Sequence, residues 1–85
     1  MTRVTMYSRA RCGLCDQARE AVDAVRSERP FEFDEVLIDG QRDMERAYGD
    51  RVPVVLVDGR EEFELVVDPD RLRGLVGPPG GRLRN

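Results

Sequence analysis

The sequence predicts an α/β domain of order βαβαββα, a four-stranded mixed sheet flanked by helices. Three observations carry this prediction. A β-prone run, Val4-Thr5-Met6-Tyr7, leads into the strongest helical period of the chain. A second apolar run ends in Val36-Leu37-Ile38, and Asp58-Gly59 then separates two further apolar runs in the manner of a type I′ hairpin. A parallel βαβ unit followed by an antiparallel hairpin is the simplest reading.

The first strand ends at Ser8. The first helix follows with Leu14, Ala18, Ala21, Val22 and Val25 on one face, and Asp16, Arg19, Glu20, Asp23 and Arg26 opposite, where Arg19 and Asp23 stand one turn apart. It must stop before Pro30, because the residue ahead of a proline is pushed out of the α region. Phe31 to Ile38 reads as the second strand, and its unbroken Val36-Leu37-Ile38 suits a strand covered on both faces. After the turn residues Asp39-Gly40, a short helix is expected from about Asp43, with Met44, Ala47 and Tyr48 on one side and Gly49 as a left-handed C-terminal cap. Val54 to Val57 and Phe63 to Val67 are the hairpin strands, with Arg60-Glu61-Glu62 available to lengthen the loop. Asp68 and Pro69 open the last helix as N-cap and first residue, and Leu72, Leu75 and Val76 form its apolar face. The domain spans residues 1–76, and residues 77–85, with two Pro, three Gly and no period, read as a flexible tail.

Composition removes whole classes of chemistry. At 85 residues the chain is a single small domain, and it contains no His, Lys or Trp: all 14 cations are Arg. Without His there is no Ser-His-Asp triad, no Cys-His pair and no imidazole ligand; without Lys there is no Schiff base and no phosphate-loop lysine. Cys12 and Cys15 are what remains for covalent catalysis. A net charge of -3 argues against nucleic acid as a partner. The charge is unevenly spread: residues 1–30 sum to +2, residues 31–70 to -9 and residues 71–85 to +4. No apolar leader or membrane-length stretch is visible, so the expectation is a cytoplasmic monomer with no membrane partner.

Cys12-Gly13-Leu14-Cys15 falls between the first strand and the first helix, which places the leading sulfur at a helix N-terminus. There the backbone N–H groups and the macrodipole favour a thiolate, lowering a thiol pKa from about 8.5 to between about 3.5 and 7.5. Arg9 and Arg11 act in the same direction, and Asp16 in the first turn acts against it. Cys12 is therefore read as the nucleophile on a disulfide, and Cys15, one turn further in, as the thiol that resolves the mixed disulfide. Zinc requires four ligands, and two Cys without His do not supply them, so no metal site is expected. Two alternatives stay open: the same thiolates could carry a soft metal such as Cu(I) or a cluster, or the scaffold could be a redox-inactive interaction module.

Tyr7-Ser8-Arg9-Ala10-Arg11-Cys12-Gly13-Leu14-Cys15 resembles the active-site stretch of glutaredoxins, where Tyr-Ser and a basic residue precede C-x-x-C. Tyr48-Gly49-Asp50-Arg51-Val52-Pro53-Val54-Val55 resembles the segment that carries the family's cis-proline. Over about residues 3–76 the chain is similar to small bacterial glutaredoxin-like proteins of the thioredoxin superfamily. The resemblance implies a thioredoxin-like fold and dithiol-disulfide oxidoreductase activity with no bound cofactor. It also implies a cis Pro53 beside the Cys pair, with Val52 offering its backbone to substrate, and places Tyr7, Arg9 and Arg11 at the substrate site. The implied partners are a disulfide-bearing protein or small thiol and a thioredoxin- or glutathione-type reductant. One segment departs from the pattern. Where glutaredoxins bind the glutathione carboxylate at a Gly-Gly, this chain reads Val67-Asp68-Pro69-Asp70, two carboxylates and a residue without an N–H. Gly80-Gly81 lies in the tail. That segment argues against glutathione as co-substrate.

Overall fold

The structure is a computed structural model and describes residues 2–77; the tail expected over 77–85 lies, from residue 78 onward, outside the described residues. The elements are β1 (Arg3–Ser8), α1 (Gly13–Glu28), β2 (Glu32–Leu37), α2 (Arg42–Tyr48), β3 (Val54–Val57), β4 (Arg60–Glu64) and α3 (Pro69–Val76). They form one sheet of order β2-β1-β3-β4. β1 and β2 are parallel, and the β1/β3 and β3/β4 pairs are antiparallel. This is the βαβαββα mixed sheet that the sequence predicts.

The main core lies between one sheet face and helices α1 and α3. Val4, Met6 and Val55 of the sheet meet Val22 and Val25 of α1 and Leu72 of α3, all fully buried. Burying a side chain such as Leu72 contributes roughly 1.5–3 kcal/mol. Arginines fasten the same layer at its rim. Arg73 pairs with Glu28 at 2.9 Å and Arg29 donates to the Arg73 carbonyl at 2.7 Å, joining the C-terminal ends of α1 and α3. Arg71 lies 4.9 Å from the Phe63 ring and donates to Glu62, joining β4 to α3. At the sheet end remote from the cysteines, Arg3 pairs with Glu32 and Asp34, and its N–H donates to the Asp58 carboxylate.

Several elements differ from their sequence expectation, each for a physical reason. β2 is an edge strand, because the βαβ crossover sets it beside β1 while the hairpin occupies β1's other side. Leu37 is accordingly 53% exposed, and it is Ile38, one residue past the strand, that is buried. The buried stripe of α1 runs through Cys15, Ala18, Val22 and Val25, so Leu14 falls off the core side and is 41% exposed. Arg19 pairs with Asp16 and Glu35 rather than Asp23. In α2, Met44 and Tyr48 pack inward but Ala47 is exposed. Gly49 is right-handed (φ -53°), not a left-handed cap; a Cβ there would collide with the Glu45 carbonyl, which is why a glycine fits.

The hairpin turn is the two residues Asp58-Gly59, both at positive φ, so Arg60-Glu61-Glu62 belong to β4 and do not lengthen the loop. A bulge between Val55 and Leu56 brings Glu61 and Phe63 into register. β4 ends at Glu64, three residues earlier than Val67. There Leu65 adopts φ 70° and the Val66 N–H donates to the Glu64 carbonyl at 2.7 Å, a γ-turn that stops the strand.

α3 starts as its sequence says: the Asp68 carboxylate accepts from the N–H groups of Asp70 (3.0 Å) and Arg71 (3.5 Å), with Pro69 in the first turn. Replacing the cap, Asp68→Ala, should lower the unfolding free energy by about 1 kcal/mol in a urea melt. Glu35, registered beside Met6, sits between β1 and α1, where its carboxylate accepts from Arg19 and from the buried Ser8 hydroxyl at 2.7 Å. The Arg19 hydrogen bonds, helped by Ser8 and opposed by partial burial, hold the Glu35 carboxyl below the ordinary glutamate range. A depressed carboxyl stabilises the fold above its unfolded pKa of about 4.3 and loses that contribution as pH falls through the lower folded value. Glu35→Gln should therefore cost on the order of 1 kcal/mol at pH 7, given the water that reaches Arg19. In urea melts the difference from wild type should close well below about pH 4.

Candidate functional site

β1 delivers the chain to the site with Ser8 fully buried. The connecting residues are held by the Asp39 carboxylate, which accepts from the Ala10 N–H at 2.7 Å and from Arg9 Nε at 3.2 Å. The Ala10 bond, then Arg9, lowers the Asp39 pKa. Arg11 is left-handed (φ 56°) and turns the chain into α1. Cys12 follows as the helix N-cap in extended backbone, with its carbonyl accepting the Asp16 N–H at 3.0 Å. Its Sγ accepts the Cys15 N–H at 3.1 Å, the bond that a Ser or Asp oxygen makes at most helix starts.

Cys12 and Cys15 are joined by a disulfide across a Cα–Cα distance of 5.1 Å. Their environments differ. Cys12 is half-buried, whereas Cys15 is fully buried in a second, smaller cluster with Ile38 and Val52. Tyr7, Met44 and Tyr48 pack around that cluster, with the two tyrosine rings 4.7 Å apart. Arg51 lies 5.3 Å from the Tyr48 ring and pairs with Glu61 and Glu64 at 3.1 and 3.2 Å.

The Val52–Pro53 peptide bond is cis, as the resemblance implies, and Pro53 is fully buried. The β1/β3 ladder ends at Tyr7 and Val54, and among the described residues neither the Val52 N–H nor its carbonyl takes a backbone partner. The Pro53 carbonyl is engaged from the other side by the Leu65 N–H at 2.8 Å. A main-chain donor and acceptor thus lack a backbone partner one residue from a buried proline, within the cluster that holds Cys15.

The structure brings together Cys12, Cys15, Tyr7 and Val52 in one cluster, with Pro53 attached to it. It separates the two cations. Arg9 is engaged by Asp39 and, at 3.6 Å, by Glu45, so its charge is largely offset within the chain. Arg11 is exposed and makes no ion pair among the described residues, which leaves it as the cation next to Cys12. Asp16 points to Arg19, at 2.9 Å, so its carboxylate is compensated. Sequence reasoning missed the part that four residues play. Asp39 read only as a turn residue, Tyr48 as one side of the short helix and a neighbour of Pro53, Arg51 only as a neighbour of Pro53, and Leu65 as mid-strand. For Asp39 a signal existed, since an Asx residue facing a loop can accept a backbone N–H, but nothing in the sequence pairs it with Ala10.

At the start of α3, the N–H groups of Asp70 and Arg71 are already taken by the Asp68 carboxylate. That terminus therefore presents a negative charge rather than open donors. No helix among the described residues is long and apolar enough to cross a membrane.

Comparison with known proteins agrees with this geometry. A curated protein of Mycobacterium tuberculosis (strain ATCC 25618 / H37Rv) is 34% identical over 92 residues, covering 95% of each chain. Among solved structures, a structural-genomics target protein from X. campestris is 43% identical with a TM-score of 0.72, covering 84% of this chain and 91% of that one. A mutant thioredoxin from Halobacterium salinarum aligns at 25% identity and a TM-score of 0.61, covering 88% of this chain and 71% of its own. The family model described as glutaredoxin-like domain (DUF836) matches residues 3–76. With that match running from the first residue of β1 to the last of α3, the chain belongs to the glutaredoxin-like DUF836 family and has the thioredoxin-like fold.

Proposed function

We propose that the protein is a dithiol-disulfide oxidoreductase in which Cys12 is the nucleophile and Cys15 the resolving thiol. The observation that carries this reading is the asymmetry of the pair: Cys12 is partly accessible at the cap of α1, while Cys15 is closed off behind it. The helix N-terminus favours a thiolate on Cys12, and Arg11 adds to this. With no imidazole or lysine in the chain, backbone N–H groups and a guanidinium are what can supply that activation.

In the reducing direction, the Cys12 thiolate attacks one sulfur of a substrate disulfide. The substrate S–S bond breaks, and its other sulfur leaves as a thiolate. Cys15, its proton passing to solvent, then attacks Cys12 Sγ and releases the first substrate sulfur. The substrate departs with two reduced sulfurs and the electron pair, and the protein ends with the Cys12–Cys15 bond present in the structure. An external dithiol reductant of the thioredoxin type restores the pair. Glutathione is disfavoured in that role, because a carboxylate approaching α3 meets Asp68 in place of free N–H groups. A reducing compartment such as the cytoplasm suits this cycle.

Two measurements test the assignment. After reduction, iodoacetamide at neutral pH should label Cys12 at least about tenfold faster than Cys15, read by peptide mass spectrometry; equal slow labelling would point to inert thiols. Cys12→Ser should abolish reduction of a disulfide substrate by the reduced protein, whereas Cys15→Ser should accumulate a mixed disulfide on Cys12. Turnover unchanged by Cys12→Ser would remove the reading.

A further inference from the structure

The β4–α3 connection holds one residue in a strained backbone conformation. Leu65 is a non-glycine residue at φ 70° in a γ-turn, a rare and strained conformation, and it is held there by its N–H bond to the Pro53 carbonyl. The turn carries Leu65 and Val66 out of the β4 ladder to the surface, where they are 39% and 66% exposed. Leu14, the residue between the cysteines that is 41% exposed, stands with them. Together with Gln17, Ala18 and Val67 these side chains line a groove of about 190 Å³. Three of the four large apolar residues exposed in the described chain thus meet at one place, in a protein that is 36% charged. Exposed apolar surface gathered beside a reactive pair marks contact with a partner rather than solvent.

The groove has the chemistry of a side-chain pocket. No charged side chain lines it, and its volume accommodates one large aliphatic or aromatic group. Its apolar wall Leu65–Val67 is bounded in the chain by Glu64 and Asp68. Glu64 is paired with Arg51, but among the described residues the Asp68 carboxylate is balanced only by backbone N–H groups of α3. An acidic group arriving at the Asp68 end is repelled, while a neutral or basic one is tolerated. The Val52 N–H and carbonyl, without a backbone partner among the described residues, offer an extended main chain a strand-like attachment.

We infer that the natural substrate of the Cys12–Cys15 pair is a polypeptide disulfide with a large apolar residue next to the attacked cysteine, and that Leu14, Leu65 and Val66 seat that residue. This rests on the oxidoreductase reading and names the substrate class for it. Hydrophobic pockets discriminate by about 10–200-fold, and that sets the scale of the expected preference.

The test uses two synthetic peptides, each closed by one disulfide and identical except for Phe or Glu after the first cysteine, with hydroxyethyl disulfide as a small uncharged third substrate. Each is mixed with prereduced full-length protein and the released thiol is followed through a single turnover. The Phe peptide should react at least about tenfold faster than the Glu peptide. Val66→Lys, at a position exposed enough for the fold to accept it, should bring the ratio toward one, and Gln17→Lys on the facing wall should lower it as well. Equal rates for the two peptides in wild type, or a ratio that survives both substitutions, would overturn the groove assignment. If wild type reduces hydroxyethyl disulfide without discriminating between the peptides, the groove alone fails. If it reduces none of the three, the oxidoreductase reading fails and takes the groove with it.

Discussion

The hydrogen bond from the Cys15 N–H to Cys12 Sγ is the contact around which the site is arranged. A sulfur stands where a helix ordinarily takes an oxygen cap, so the group that starts α1 is also the group that can react. Everything nearby fixes that sulfur in place. The buried stripe of α1 anchors the helix to the sheet, Asp39 holds the approach through Ala10, and Ile38 and Val52 close over Cys15. A chain without His or Lys has few other ways to stabilise an anionic nucleophile, and a helix start is one that needs no titratable partner.

A second principle runs through the molecule: arginine is used as a fastener. Arg3 ties β1, β2 and the hairpin turn at one end of the sheet, Arg73 and Arg29 tie α1 to α3, and Arg71 ties β4 to α3. Several of these bonds fork to two acceptors, which suits a planar guanidinium better than an ammonium. The acidic middle of the chain is thereby largely absorbed into ion pairs with arginines from all three regions. The strong negative sum over residues 31–70 is consequently a poor guide to the field that a substrate meets.

Much of this was legible in the sequence. The order of elements followed from period and turn chemistry, because strands and helices here have clean patterns and Asp58-Gly59 and Asp68-Pro69 are strong punctuation. The Cys pair announced itself by position, and the cis Val52–Pro53 bond came from likeness to a known family rather than from local physics. What the sequence hid were features decided across the chain. Val36-Leu37-Ile38 looks like a central strand, yet sheet order places it at an edge. Phe63 to Val67 looks like one continuous strand, yet the Leu65 N–H finds the Pro53 carbonyl and the run breaks after Glu64. The partners of Arg9 and Arg19 likewise depend on β2 and α2 meeting the first helix in space.

The cysteine bond lies wholly inside one turn of α1 and bridges no two elements. A crosslink between distant segments would couple redox state to the integrity of the whole molecule, since its opening would release a long loop of chain entropy. Here the residues between the sulfurs are already ordered by the helix, and the cohesion of the sheet with α1 and α3 comes from side chains that the bond does not touch. On the oxidoreductase reading proposed above, the domain gains and loses an electron pair as a rigid body, with the rearrangement confined to the half-buried Cys12 and the buried Cys15.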